Sequence, residues 1–234
     1  IVPVPMDLSV VFEDEHVLVI DKPAGMPVHP SQGHYENTLA NGIAWYYRNE
    51  ATPFVFRAVN RLDRDTSGLV LLAKNPYSSC VLSDAVKDHT IHREYAAIVS
   101  GKTDASGTID LPIARKDGST IERVCDPERG ETAVTHYRTF AYNKDADISF
   151  IRLLLETGRT HQIRVHMKAI GHPLPGDFLY CPDYRFIDRQ PLHSTYLRFS
   201  HPVTGEKLEF SASLPEDMRK LFPDIKNPSG PVFF

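Results

Sequence analysis

The sequence is poor in the features that would place it outside ordinary globular enzymes. Its three cysteines, Cys80, Cys125 and Cys181, stand far apart. They show neither the paired spacing of a zinc site nor the even count of a secreted disulfide framework, which points to a reducing compartment. No apolar run approaches the ~20 residues a bilayer-spanning helix needs, and the first residues lack the basic-then-apolar order of a secretory leader. The expectation is a cytoplasmic protein without membrane association. The chain also lacks internal repeats and low-complexity stretches, and it begins at Ile1 rather than Met, which suggests processing or an absent upstream segment.

Positive net charge is lacking too: the formal charge is -4, so the whole-domain basicity usual in nucleic-acid binders is absent and any such role rests on local charge. Such a patch exists. Between Thr157 and Gly176 there is no acidic residue, while Arg159, Arg164 and Lys168 alternate with His161, His166 and His172. With 234 residues and 41% hydrophobic content the chain can bury a sizeable core without metals or disulfides. One domain is expected over residues 1–222, followed by an irregular, proline-rich tail over 223–234.

Apolar-rich arms Leu8 to Phe12 and His16 to Ile20 around Glu13-Asp14-Glu15 predict a hairpin, ended by Asp21-Lys22-Pro23-Ala24-Gly25. A helix is predicted over Thr38 to Tyr47 and a buried strand over Leu69 to Ala73. Asn75-Pro76 supplies the cap and first-turn proline of a helix reaching Lys87. Strands are predicted at Glu94 to Val99, Thr132 to Phe140, Ile148 to Glu156, Thr195 to Phe199 and Lys207 to Phe210, the last two joined by the turn Pro202 to Gly205. A short helix spans Thr160 to Ile170 and another begins near Pro215. Strands outnumber helices and mostly follow one another directly, so the class is α+β with a mainly antiparallel mixed sheet, flanked by a few helices and loops.

The chemistry concentrates in Asn60-Arg61-Leu62-Asp63-Arg64-Asp65-Thr66-Ser67-Gly68. Asp, Thr, Ser and Gly suit a turn whose short polar side chains bond nearby backbone, and such a cluster can be structural only. Here Arg57, Arg61 and Arg64 surround it, and cations favour the ionised form of a neighbouring carboxylate. An ionised, partly desolvated carboxylate is a usable nucleophile.

Arg61-Leu62-Asp63 followed by Thr66-Ser67-Gly68-Leu69 resembles the signature around the catalytic aspartate of the RluA-type pseudouridine synthases. Asp21 to Gly25 resembles that family's first motif, Arg93-Glu94-Tyr95 its tyrosine segment, and Thr157 to Met167 its arginine-bearing motif. Gly171-His172-Pro173, Gly176-Asp177, Leu192-His193 and the run from His201 to Glu206 extend the match in order along most of the chain. Asn60, where histidine is common, and Cys181, where glycine is common, depart from it. The resemblance implies the pseudouridine synthase fold with a catalytic cleft, and isomerisation of uridine in structured RNA, ribosomal rather than transfer RNA, without cofactor or metal. It makes Asp63 the catalytic carboxylate, Tyr95 the residue packing against the target base and Arg164 the partner of the aspartate. Arg61, Arg64, Thr66, Arg159 and His161 are expected to bind substrate, with Arg61 suited to fill the gap a flipped uridine leaves. Many relatives carry a small N-terminal RNA-binding domain, which is not expected within these 234 residues. No obligatory protein partner is expected, and a monomer is the default.

Two other readings compete. Asp63-Arg64-Asp65-Thr66 partly resembles the Asp-x-Asp-x-Thr motif of haloacid-dehalogenase-type phosphatases, which sits at the end of an apolar strand, whereas here the strand follows. A catalytically silent RNA-binding module would use the Arg159 to Lys168 surface alone. His161 and His166 are five residues apart, off the spacing by which helical histidines share a metal.

Overall fold

A computed structural model describes residues 1–31, 33–49, 54–225 and 230–233. In chain order the elements are β1 (Ser9–Glu13), β2 (Val17–Lys22), α1 (Leu39–Tyr46), β3 (Ser67–Ala73), α2 (Pro76–Lys87), β4 (His92–Ser100) and β5 (Ser106–Asp110). They continue with β6 (Ile113–Arg115), β7 (Arg123–Cys125), β8 (Val134–Asn143), β9 (Ile148–Leu155), α3 (Gln162–Ala169), β10 (Leu192–Ser200), β11 (Lys207–Ser211) and α4 (Glu216–Leu221). The chain divides into two compact units, one of Ile1–His92 with Tyr196–Ala212, the other of Arg93–Thr195 with Ser213–Phe234. Among the described residues no helix is long and apolar enough to cross a membrane.

In the first unit the β1–β2 hairpin turns on Asp14, whose Oδ1 accepts from the amides of His16 at 2.7 Å and Val17 at 2.8 Å. A short carboxylate at the first turn position does this without help from glycine. β2 pairs antiparallel with β3 from Val17 opposite Ala73 to Lys22 opposite Gly68. Every residue of β3 is buried, which accounts for its continuous apolar sequence. Its Leu69 and Leu71 pack with Val17, Val19, Leu197 and Phe199 and with Leu82 and Ile91 from α2 and the turn after it. Burial of each such side chain contributes roughly 1.5–3 kcal/mol. The Asn75 side chain accepts from the Ser78 amide and Pro76 occupies the first turn of α2, as the sequence predicts.

In the second unit β4, β9, β8 and β5 lie side by side, each pair antiparallel. Successive side chains of a strand alternate between faces. Ala96, Ile98, Ile148 and Phe150 therefore pack on one face with Leu214, Met218 and Phe222. Tyr95, opposite Leu153, which in turn lies opposite Tyr137, points to the other. The α+β, mainly antiparallel class holds.

Three strands escape the sequence reading. β5 has only Ile109 as a large apolar residue and exists because it pairs with β8 from Ser106 opposite Arg138 to Asp110 opposite Val134. β6 and β7 are three-residue arms of a hairpin that shows no alternation to read. Helix α3 begins at Gln162, two residues later than predicted, because His161 adopts a left-handed φ of 58° at its N-cap. Part of the predicted tail, like Gln32 in the loop from Pro30 to His34, lies outside the described residues. Residues 230–233 hold no helix or strand; the amides of Val232 and Phe233 donate to the carboxylate of Glu94 at 2.9 and 3.0 Å.

Candidate active site

The signature run forms a turn that the sequence braces from both ends. Before it, the backbone lies beside β3, with the Val59 amide donating to Leu71 O at 2.8 Å and the Ala73 amide to Arg57 O at 2.9 Å. Asn60, buried, spends its amide group on the same strand: Oδ1 accepts from the Leu71 amide at 2.8 Å and Nδ2 donates to Leu69 O at 3.2 Å. The Thr66 amide closes the turn on Asp63 O at 3.1 Å. Gly68 then enters β3 at φ 107°, a conformation that L side chains rarely adopt.

The first motif holds this turn from the side. Lys22 is fully buried, and its ammonium donates to Pro23 O and Met26 O at 2.8 Å and to Arg64 O at 3.1 Å. An ammonium has three N–H donors, and three carbonyls take them. The lysine thus joins the loop from Asp21 to Met26 to the turn from Asp63 to Thr66. Asp63 itself is partly exposed between Leu62, 7% exposed, and Thr66, 2% exposed. Arg61 and Arg64 are exposed, and Arg64 makes a bidentate pair with Asp65 at 3.0 and 2.7 Å. His29 packs edge-on against Phe56; burial, with the Arg61 cation, pushes its pKa down.

In the second unit Tyr95 lies on β4, 5% exposed, on the sheet face that also carries Thr135 and Tyr137. The arginine motif is fastened to that face by Gln162. Its Oε1 accepts from the Thr157 hydroxyl at 2.8 Å and the Arg159 amide at 2.9 Å, and its Nε2 donates to Val134 O and Thr135 Oγ1 at 3.0 Å each. His166, fully buried, bridges Thr135 Oγ1 at 2.9 Å and Leu111 O at 2.8 Å, and burial pushes its pKa down. Its ring is a structural pin. Among the described residues no group of three or more His, Cys, Asp or Glu is placed to hold a metal ion.

Arg164, 2% exposed, projects from the middle of α3, and its Nε and Nη2 donate to Asp177 at 2.6 and 2.7 Å. Asp177 is fully buried and also accepts from the amides of Leu179 at 3.0 Å and Tyr180 at 3.1 Å. The guanidinium carbon lies 4.9 Å from the centre of the Tyr180 ring. The Tyr180 hydroxyl accepts from the Arg123 amide at 2.8 Å and is hydrogen-bonded to His161 Nδ1 at 2.9 Å. Arg159 pairs with Glu131 and donates from Nε to Thr132 O at 3.0 Å. Arg159, His161 and Arg164 are thus gathered on one loop and helix, and Arg61, Asp63, Arg64 and Thr66 in one turn.

Sequence reasoning passed over three residues of these networks: Lys22, Gln162 and Asp177. The signal for Asp177 was the preceding glycine. Gly176 has φ 77°, and a Cβ there would come within 2.5 Å of the carbonyl oxygens of Ile187 and Arg189. Only glycine admits the close approach that sets Asp177 beneath Arg164.

The class of protein follows from comparison with known proteins. Residues 16–169 match the family described as RNA pseudouridylate synthase. The chain belongs to this family, and the resemblance of its motifs to the RluA-type enzymes holds. It is 47% identical over 220 residues to YjbO of Bacillus subtilis, named an uncharacterized RNA pseudouridine synthase, covering 94% of this chain and 76% of that protein. It is 42% identical over 240 residues to ribosomal large subunit pseudouridine synthase D of Zymomonas mobilis, covering 94% and 73%. Among solved structures, human RNA pseudouridylate synthase domain containing 1 superposes with a TM-score of 0.73 at 23% identity, over 95% of this chain and 97% of that one, a likeness of fold.

Proposed function

We propose that this chain isomerises uridine to pseudouridine in large-subunit ribosomal RNA, in the cytoplasm, with Asp63 as the catalytic carboxylate. The observation that carries the reading is the turn around Asp63. A partly exposed aspartate is held at a turn braced through the buried Lys22 and Asn60, in a chain of the RNA pseudouridylate synthase family. The ribosomal target rests on relatives named for it, in Zymomonas mobilis and, at 39% identity over 226 residues, in Pseudomonas aeruginosa.

The reaction breaks the bond from uracil N1 to ribose C1′, turns the base, joins C5 to C1′, releases the C5 proton to solvent and returns one to N1. No electrons are gained or lost, so the work falls to a carboxylate and to walls that retain the free base. In this reading Asp63 acts on the ribose or the ring, Arg164 holds the aspartate's charge and direction, and Tyr95 offers the ring on which uracil stacks. Stacked bases gain ~1–3 kcal/mol from such a ring. The guanidinium suits its role because it has five N–H donors, so the Nε and Nη2 bonds to Asp177 leave donors to serve a second carboxylate. Arg61, Arg64, Thr66, Arg159 and His161 contact the RNA around the flipped nucleotide.

The phosphatase reading is not favoured, since the aspartate pair precedes β3 rather than ending a strand. Release of tritium from RNA labelled at uridine C5 tests the proposal. Release from ribosomal but not transfer RNA is expected; release from transfer RNA alone would move the target, and none from either would remove the activity.

A further inference from the structure

Three arginines are buried among the described residues: Arg93, Arg152 and Arg164. Two have carboxylates, Arg152 donating to Glu94 at 2.6 Å and Arg164 to Asp177. Arg93, 9% exposed, has no hydrogen bond or ion pair among the described residues, and its Nε is sealed from solvent without an acceptor. A buried guanidinium without a counter-charge is costly, by several kcal/mol in general, so its retention calls for an explanation.

Alternation along β4 places Arg93 on the same face as Tyr95, while Glu94 between them points away to Arg152 and the amides of Val232 and Phe233. Two residues at ~3.3 Å rise put Arg93 about 6.6 Å along the strand from Tyr95. The group is also held in a set orientation. A Cβ built on Gly158 would lie 3.4 and 3.5 Å from Nη1 and Nη2 of Arg93 and 3.9 Å from Cζ, so the guanidinium rests against the glycine that opens the arginine motif. Arg93 is thus fixed in place with its donors not spent on protein.

We propose that Arg93 is an anchor for a backbone phosphodiester of the RNA, beside the nucleotide whose base stacks on Tyr95. This rests on the reading of Tyr95 above. Two non-bridging phosphate oxygens supply the negative charge and the paired acceptors that a guanidinium fork fits, and an RNA strand carries one phosphate for each base.

The test is RNA binding by the whole chain, read by fluorescence anisotropy on transcribed large-subunit ribosomal RNA across a salt series, for wild type, Arg93→Met and Arg93→Lys. Methionine keeps most of the aliphatic stem. The Met variant is expected to bind roughly 10–100-fold more weakly at low salt, the range of a lost charged hydrogen bond. The slope of log affinity against log salt is expected to fall by about 0.7–0.9, one phosphate contact. The Lys variant is expected to keep the slope and lose affinity several-fold. An unchanged slope in Arg93→Met would overturn the proposal. If that variant does not fold, Arg93→Lys decides, and wild-type affinity in a lysine variant with unchanged melting temperature would overturn it. Binding is read without turnover, so absence of tritium release from wild type would sink the isomerase reading while leaving the Arg93 result interpretable.

Discussion

Replacing Asp177 with asparagine is expected to destabilise the protein far beyond the usual effect of removing one charge. Arg164 is 2% exposed and Asp177 fully buried, and the carboxylate takes two guanidinium donors and two backbone amides. Asparagine keeps one acceptor, presents an N–H group to the arginine and removes the charge that takes its Nε and Nη2 donors. Breaking a buried pair from one side costs ~3–5 kcal/mol, and in a chain of this size each kcal/mol lowers the melting temperature by ~2–4 °C. The expected fall is therefore ~6–20 °C, read by circular dichroism or differential scanning fluorimetry. The pair Arg164→Met with Asp177→Leu should recover most of that loss, since an apolar replacement of a buried ion pair is often neutral. It should not recover turnover, because the proposed partner of Asp63 is gone. A melting temperature within about 2 °C of wild type for Asp177→Asn would refute the reasoning, as the buried pair could then not be holding α3 in place.

Lys22→Met should strip the donor from three carbonyls at ~1–3 kcal/mol for each group left unsatisfied; hydrogen exchange over residues 60–66 should rise and turnover fall more than RNA affinity. Equal loss of both would argue against a role for Lys22 in setting the turn. His166 has its pKa pushed down by burial, so the unfolded chain takes up its proton first. Stability from this residue is complete above the unfolded value of about 6.5 and is lost as pH falls below it. The melting temperature should drop between pH 7 and 5.5, and His166→Gln should flatten that slope; a slope unaltered by the substitution would assign the effect elsewhere. Gly176→Ala meets two carbonyl oxygens at 2.5 Å and a φ of 77°, and should cost at least the ~1–3 kcal/mol typical of strained positions, seen as a lower melting temperature.

How far the sequence foretold this arrangement depended on whether a feature was local. β3 and α2 were legible because an unbroken apolar run and an Asn-Pro cap act within a few residues of themselves. β5 was not, since its polar alternation becomes a strand only beside β8. The turn around Asp63 could be read as a turn, but its braces could not. A lysine is among the least buried residue types, and nothing in Asp21 to Gly25 says that Lys22 will reach 42 residues ahead to Arg64. Asn60, flagged only as a departure from a common histidine, proves to be a backbone staple for β3. Likewise Gln162 lay inside a recognised motif, yet two of its four bonds, to Val134 and Thr135, exist only once β8 lies beside α3.

The most direct test of the central claim compares wild type with Asp63→Asn on RNA labelled with tritium at uridine C5, with RNA affinity measured in parallel. The substitution changes charge more than shape. The account predicts tritium release by wild type, none by the variant, and RNA affinity within a few fold of wild type. Release by Asp63→Asn at the wild-type rate would contradict it, since the carboxylate would then have no part in breaking the glycosidic bond.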